Sequence, residues 1–201
     1  MTVSEPSLHF PPGQQYSCTE CGKCCSVPWR IRLFQEEVDR IRTYECYKRL
    51  KKEGFRPLKL VDERFQINRR GNHHCFFLAA DGLCDIHREH GVYAKPSVCQ
   101  LYPFNLVLTP DGYYVSMAFT CPAVISGAGG AVEQHAEELG KTVLNTPQFF
   151  PPDQESSRTV RLSRERSVEW AEYVQLEQQL YQAVSLAPTP TLALLFAVAA
   201  G

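Results

Sequence analysis

The sequence predicts a small, irregular α+β domain stabilised by metal, carrying a β-hairpin and followed by C-terminal helices. Three observations lead there. The stretch CTECGKCC, residues 18–25, places four cysteines within eight positions. Four more cysteines fall in a middle region that lacks helical periodicity and contains one clean hairpin pattern, FNLVLTPDGYYVSMAF. Beyond it, apolar residues recur at helical spacing to the end of the chain.

The 201 residues, 44% apolar and 21% charged, suit one domain with an appendage or two small domains. A formal charge of −1 provides no global field toward nucleic acid or membrane, and no partner is legible. The opening MTVSEPSLHF has neither a basic start nor an apolar run, so no secretory signal is read and a cytoplasmic location is expected. That compartment disfavours structural disulfides, and the nine cysteines are an odd number. The terminal TLALLFAVAAG is shorter than the roughly 20 residues that span a bilayer and has no Lys or Arg face. It reads as a final helix on the body.

In chain order, residues 1–15 hold Pro6, Pro11, Pro12 and Gly13 and form an extended lead-in. A cysteine-cluster domain is expected over 16–130 and a helical extension over 131–201. RLFQEEVDRIRTYECYKRLKKEG reads as one helix, with Lys51 and Lys52 in its last turn, Gly54 after it and Cys46 buried inside it. RFQIN and HCFFLA read as short strands, and Asp81-Gly82 as a turn. ISGAGGAVEQHAEELGKTVL leads through glycines into a helix, and TPQFFPPDQESSRT is a long connection. SRERSVEWAEYVQLEQQLYQAVSLA is an amphipathic helix with Ser163 as N-cap, without a capping box because Arg166 stands where Glu or Gln would be. Pro188 and Pro190 end it.

Cys18, Cys21, Cys24, Cys25, Cys75, Cys84, Cys99 and Cys121 form a pool of eight thiols, enough for two four-sulfur sites or one site with spare thiols. A C-x2-C step works because a tight turn aims both sulfurs at one point, and Gly22 stands where such a turn favours positive φ. Overlapping steps direct Cys18, Cys21 and Cys24 to one centre. Cys25, as an immediate neighbour, is expected to turn away, either to a second metal or into the core. Cys121-Pro122 offers a remote Cys-Pro to complete the set, and no second C-x2-C knuckle of a zinc ribbon is present. The spacing therefore favours an iron–sulfur cluster over zinc, both of which accept four thiolates.

CTECGKCC, CFFLAADGLCDIH and KPSVCQLYPF, in that order, resemble the CxxCxxCC family of cysteine-cluster proteins, which includes the flagellin lysine N-methylase. The resemblance covers residues 16 to about 130 and ends with Cys121-Pro122 and the glycines after it. It implies a zinc- or iron-chelating domain. The departures are His87 for the usual Tyr, Lys95 for the Arg before Pro96, and Gln100 for the Arg after Cys99. If the arginines serve an anion in relatives, that role is weakened here, since Lys lacks the bidentate fork. The resemblance also implies an alternative to a plain metal-binding module, an iron–sulfur-dependent protein lysine N-methyltransferase. A redox or electron-transfer role is a further alternative.

His73, His74 and His87 lie beside cysteines, with His87 the best candidate for a mixed site. GAGG, 127–130, lacks dinucleotide spacing and reads as a flexible exit from the metal site. RFQINRRGNHH reads as a solvated basic face. There is no G-x-S-x-G, Walker loop or H-E-x-x-H, so catalytic residues are not assigned.

Overall fold

The computed structural model describes residues 6–147, 149–151, 156–186 and 189. The chain is α+β and divides into two compact units, Met1–Val107 with Tyr113–Pro152, and Leu108–Gly112 with Asp153–Gly201.

In the first unit the proline-rich lead-in is extended, and its strand β1 (Leu8–His9) joins a sheet. β1 runs parallel to β5 (Gly112–Met117), which also pairs with β4 (Phe104–Thr109), giving the order β1-β5-β4. The β4–β5 pair is the hairpin expected from the sequence. His9 stacks on Tyr114 with ring centroids 4.6 Å apart.

The first cysteine cluster contains the single turn α1 (Lys23–Ser26), entered through Gly22 at φ 66°. The expected long helix is instead two, α2 (Gln35–Thr43) and α3 (Glu45–Lys52). Tyr44 breaks it by adopting an extended backbone, φ −72° and ψ 144°. That placement stacks its ring on His90 at 4.2 Å and lets its hydroxyl donate to the Ala94 carbonyl. The apolar spacing continues across the break, which hides it in the sequence. Cys46 is fully buried in α3, as expected of a small apolar side chain.

A hairpin follows, β2 (Leu58–Val61) with β3 (Arg64–Ile67), turning through Asp62 and Glu63 at positive φ. HCFFLA is not a strand. It winds through turns, with Cys75 bridged singly to Arg69 and Leu78 to Cys84. Cys75, Phe76 and Phe77 are all buried, so the alternation of a half-buried strand is missing. Asp81-Gly82 does form a turn, closed by the Gly82 N–H on the Ala79 carbonyl.

Short helices α4 (Asp85–His90), α5 (Ser97–Leu101) and α6 (Pro122–Ser126) carry or border the later cysteines, and α7 (Ala136–Asn145) closes the unit. Two apolar clusters form its core. One gathers Ile31, Val38, Ile41, Ile67, Phe77 and Ile86, the other Tyr16, Met117, Val124 and Val132.

In the second unit β6 (Thr159–Arg161) pairs antiparallel with β7 (Ser167–Glu169), and α8 (Trp170–Leu186) follows directly. Ser163 is not a helix cap. Its hydroxyl accepts from the Glu165 and Arg166 N–H groups and so shapes the β6–β7 turn. The helix starts seven residues after Ser163, and none of its residues is buried. Trp170 Nε1 donates to Asp111 Oδ2 at 2.6 Å. Parts of the proline-rich connection, Pro188, Pro190 and the terminal apolar segment lie outside the described residues. Among the described residues no helix is long and apolar enough to cross a membrane.

Candidate metal centre

The C-x2-C-x2-C-C segment folds as a turn because Gly22 accepts a left-handed backbone. Its carbonyl receives the Cys25 N–H at 2.9 Å, and the Glu20 N–H points at Cys18 Sγ at 3.4 Å. The turn rests on the Asp81-Gly82 turn, so that a Cβ on Gly22 would stand 2.6 Å from the Gly82 carbonyl oxygen. The Cys75 N–H donates to the Cys25 carbonyl at 2.8 Å, which joins the first cysteine block to the second. Trp29 Nε1 caps the Cys24 carbonyl at 2.7 Å.

Arg69 secures the exit of this segment. Its guanidinium donates to the carbonyls of Trp29, Cys25 and His73. Arg70 lies over Phe55 and Phe76 and donates to the Phe76 carbonyl. The two arginines expected on a solvated basic face are therefore structural braces.

The glycines 127–130 serve close packing. The Tyr16 N–H donates to the Gly130 carbonyl and the Ser17 N–H to that of Ala128, laying the approach to Cys18 alongside the segment that follows Cys121. A Cβ on Gly129 would meet Ser17 Oγ at 2.1 Å, so the near approach requires glycine.

These contacts enclose a cavity of about 360 Å³ lined by Cys18, Cys21, Cys24, Cys25, Cys75, Cys84, Cys99 and Cys121. All eight cysteines of the sequence-derived pool reach it, and Cys46 does not. Residues of both apolar clusters, including Ile67, Phe77, Tyr16 and Ala123, share the lining, so the cavity is a seam between the two parts of the core. Cys18 and Cys21 lie at its exposed side and Cys75 and Cys121 in the interior. No disulfide joins any of the nine cysteines. Among the described residues, no three His, Cys, Asp or Glu side chains are grouped tightly enough to hold a lone cation.

Cys25 packs against the first apolar cluster, one of the two directions expected of it, and also lines the cavity. It sits in the α1 turn, and the neighbouring thiols of Cys24, Cys75 and Cys84, together with burial, drive its own pKa up. The protonated Cys25 thiol beside them holds the three neighbours below the ordinary thiol range, Cys24 and Cys84 at about 6. Burial opposes this at all three, while the Lys95 charge assists at Cys24 and Cys84. Burial pushes the Cys99 thiol up.

Of the three histidines near cysteines, His87 lines the cavity and His73 and His74 do not. Burial, aided by Lys95, holds His87 below its ordinary value. Tyr16, Lys95 and Tyr102 also line the cavity. Burial raises the Tyr16 hydroxyl, and the neighbouring Cys18 and Cys121 raise it further. Sequence reasoning assigned Tyr16 no role. Its only signal is its position two residues before Cys18.

The fold and site define a cysteine-cluster protein built around a sulfur-lined cavity. The chain belongs to the CxxCxxCC family, described as a "Putative zinc- or iron-chelating domain", which it matches over residues 17–122, just over half its length. An uncharacterized protein of Methanocaldococcus jannaschii is 32% identical to it over 101 residues, 50% of this chain. The match covers 33% of that relative's length. No solved structure matches the chain.

Proposed function

We propose that this chain is a metal-binding protein in which the eight cavity thiols hold an iron–sulfur cluster. One observation carries the reading: eight cysteines drawn from separate segments line a single cavity, while the ninth lies apart in the core. Random burial of thiols would not sort them so.

The donor set fits the group. Thiolates are soft ligands suited to iron–sulfur clusters and zinc, and Cys24, Cys75 and Cys84 are poised toward the thiolate form. The spread of the donors favours a cluster. Four thiolates around one zinc sit about 2.3 Å from it, whereas among the described residues no three candidate ligands are grouped closely enough to hold a lone ion. Cys24, Cys25, Cys75 and Cys84 are the inner ligand candidates, with Cys18, Cys21, Cys99 and Cys121 completing the pool. Bound metal would link the two apolar clusters that meet at the cavity and add folding free energy to a turn-rich region.

The test is anaerobic purification of the full chain, with iron, zinc and acid-labile sulfide measured beside the visible spectrum. The reading expects iron and sulfide in like amounts and a visible absorbance that dithionite bleaches. A folded, colourless protein carrying only zinc refutes the cluster, and a folded protein without metal refutes the metal site.

A further inference from the structure

We propose that Lys95 is the built-in counter-charge of the sulfur-lined cavity, the fixed cation that lets the thiolate-held group carry its negative charge. This inference rests on the metal-binding reading above.

Lys95 is half-buried and lines the cavity with Pro96 and Cys99. Among the described residues no carboxylate lies within ion-pair distance of its ammonium. The other cations at the cavity are differently placed. Arg88 is engaged by Asp81 and Asp85, and Lys23 is exposed. Cys99, four residues further on, and Cys24 and Cys84, from two other segments of the chain, line the same cavity as Lys95.

The backbone that presents Lys95 is clamped on both sides. Its carbonyl accepts from Gln100 Nε2 at 2.7 Å and from Arg40 Nη2 at 3.4 Å. Gln100 is buried, and its amide also donates to the Tyr93 carbonyl at 3.1 Å. Two residues beyond Lys95, the Ser97 N–H and hydroxyl donate to the buried Glu37 carboxylate at 2.7 and 2.6 Å. Glu37 Oε2 in turn accepts the Phe34 N–H at the start of α2. Gln100 and Glu37 are positioning residues for the cation. A site of several thiolates accumulates negative charge even after metal binds. A cation fixed beside it in a low-dielectric seam opposes that charge without reorganisation.

The experiment compares the full chain with Lys95→Met and Lys95→Gln, which remove the charge, Lys95→Arg, which keeps it, and Lys59→Met, which makes the same net-charge change on an exposed strand. Circular dichroism verifies folding, and bound metal is challenged with increasing chelator. Both neutral variants are expected to release metal at about tenfold lower chelator concentration, with Arg and Lys59→Met close to wild type. In iron-loaded protein, an equivalent tenfold shift in the reduced-to-oxidised ratio moves the midpoint about 59 mV more negative for one electron. A folded neutral variant, methionine or glutamine, that keeps wild-type metal retention and midpoint overturns the inference while the metal site stands. A wild-type protein that binds no metal overturns the underlying reading itself.

Discussion

Replacing Gly22 by alanine asks whether the first cysteine turn must lie directly on the Asp81-Gly82 turn. Gly22 sits at φ 66°, where an L side chain costs about 1–2 kcal/mol. A Cβ would also stand 2.6 Å from the Gly82 carbonyl oxygen and 3.3 Å from Leu78 Cδ1. The nearer atom is backbone and has no rotamer with which to yield, so the two turns must separate, at a further cost of about 1–3 kcal/mol. Gly82 provides the control. Its φ is 85°, yet a Cβ there meets nothing nearer than the Glu20 carbonyl oxygen at 3.9 Å. Gly82→Ala should therefore lose about 1 kcal/mol from backbone conformation alone, and Gly22→Ala about 3 kcal/mol. Urea unfolding followed by circular dichroism reads the difference, and metal analysis of the same samples reads its effect on the site. Equal urea midpoints and equal metal contents for the two variants would refute the close approach.

Cys46→Ala should keep the full metal content and lose about 1–2 kcal/mol from the small void it leaves, whereas Cys75→Ser should lose metal; equal metal content in the two would break the sorting of the nine thiols. Arg69→Lys should lower stability by about 2–3 kcal/mol in urea unfolding, because one ammonium cannot serve three separated carbonyls; a wild-type midpoint would contradict the brace. Glu89 supplies a pH test. Burial pulls its carboxyl upward, but the Cys46 N–H and thiol and the Arg49 guanidinium outweigh it and hold the pKa below the ordinary 4.5. Its stabilising contribution is therefore complete above that value and disappears as the pH falls through the lower folded value. Glu89→Gln should be less stable at neutral pH and converge on wild type in acid, as read by urea midpoints across pH. Parallel curves would contradict it.

The β4–β5 hairpin, the Asp81-Gly82 turn and the need for glycine at 22 were legible because each depends on residues close in sequence, and the eight cavity cysteines were legible as a residue type concentrated in one irregular region. What stayed hidden depends on partners far along the chain. Tyr44 leaves the helix for His90 and Ala94, residues that no local pattern connects to it. HCFFLA is apolar enough for a strand, but its cysteine is pulled to Cys25 and its chain toward Cys84. Arg69 looked like surface charge because its three carbonyl acceptors lie in the backbone and leave no mark in the sequence. The glycines after Cys121 were visible, but Ser17, the residue they make room for, was not.

X-ray absorption at the iron and zinc edges of the anaerobically purified full chain tests the central claim most directly, because it reads the metal and its neighbours together. The account predicts an iron edge, a first shell made of sulfur, and a second shell of iron. A first shell of oxygen and nitrogen, or a metal signal that persists unchanged in Cys75→Ser, would contradict it.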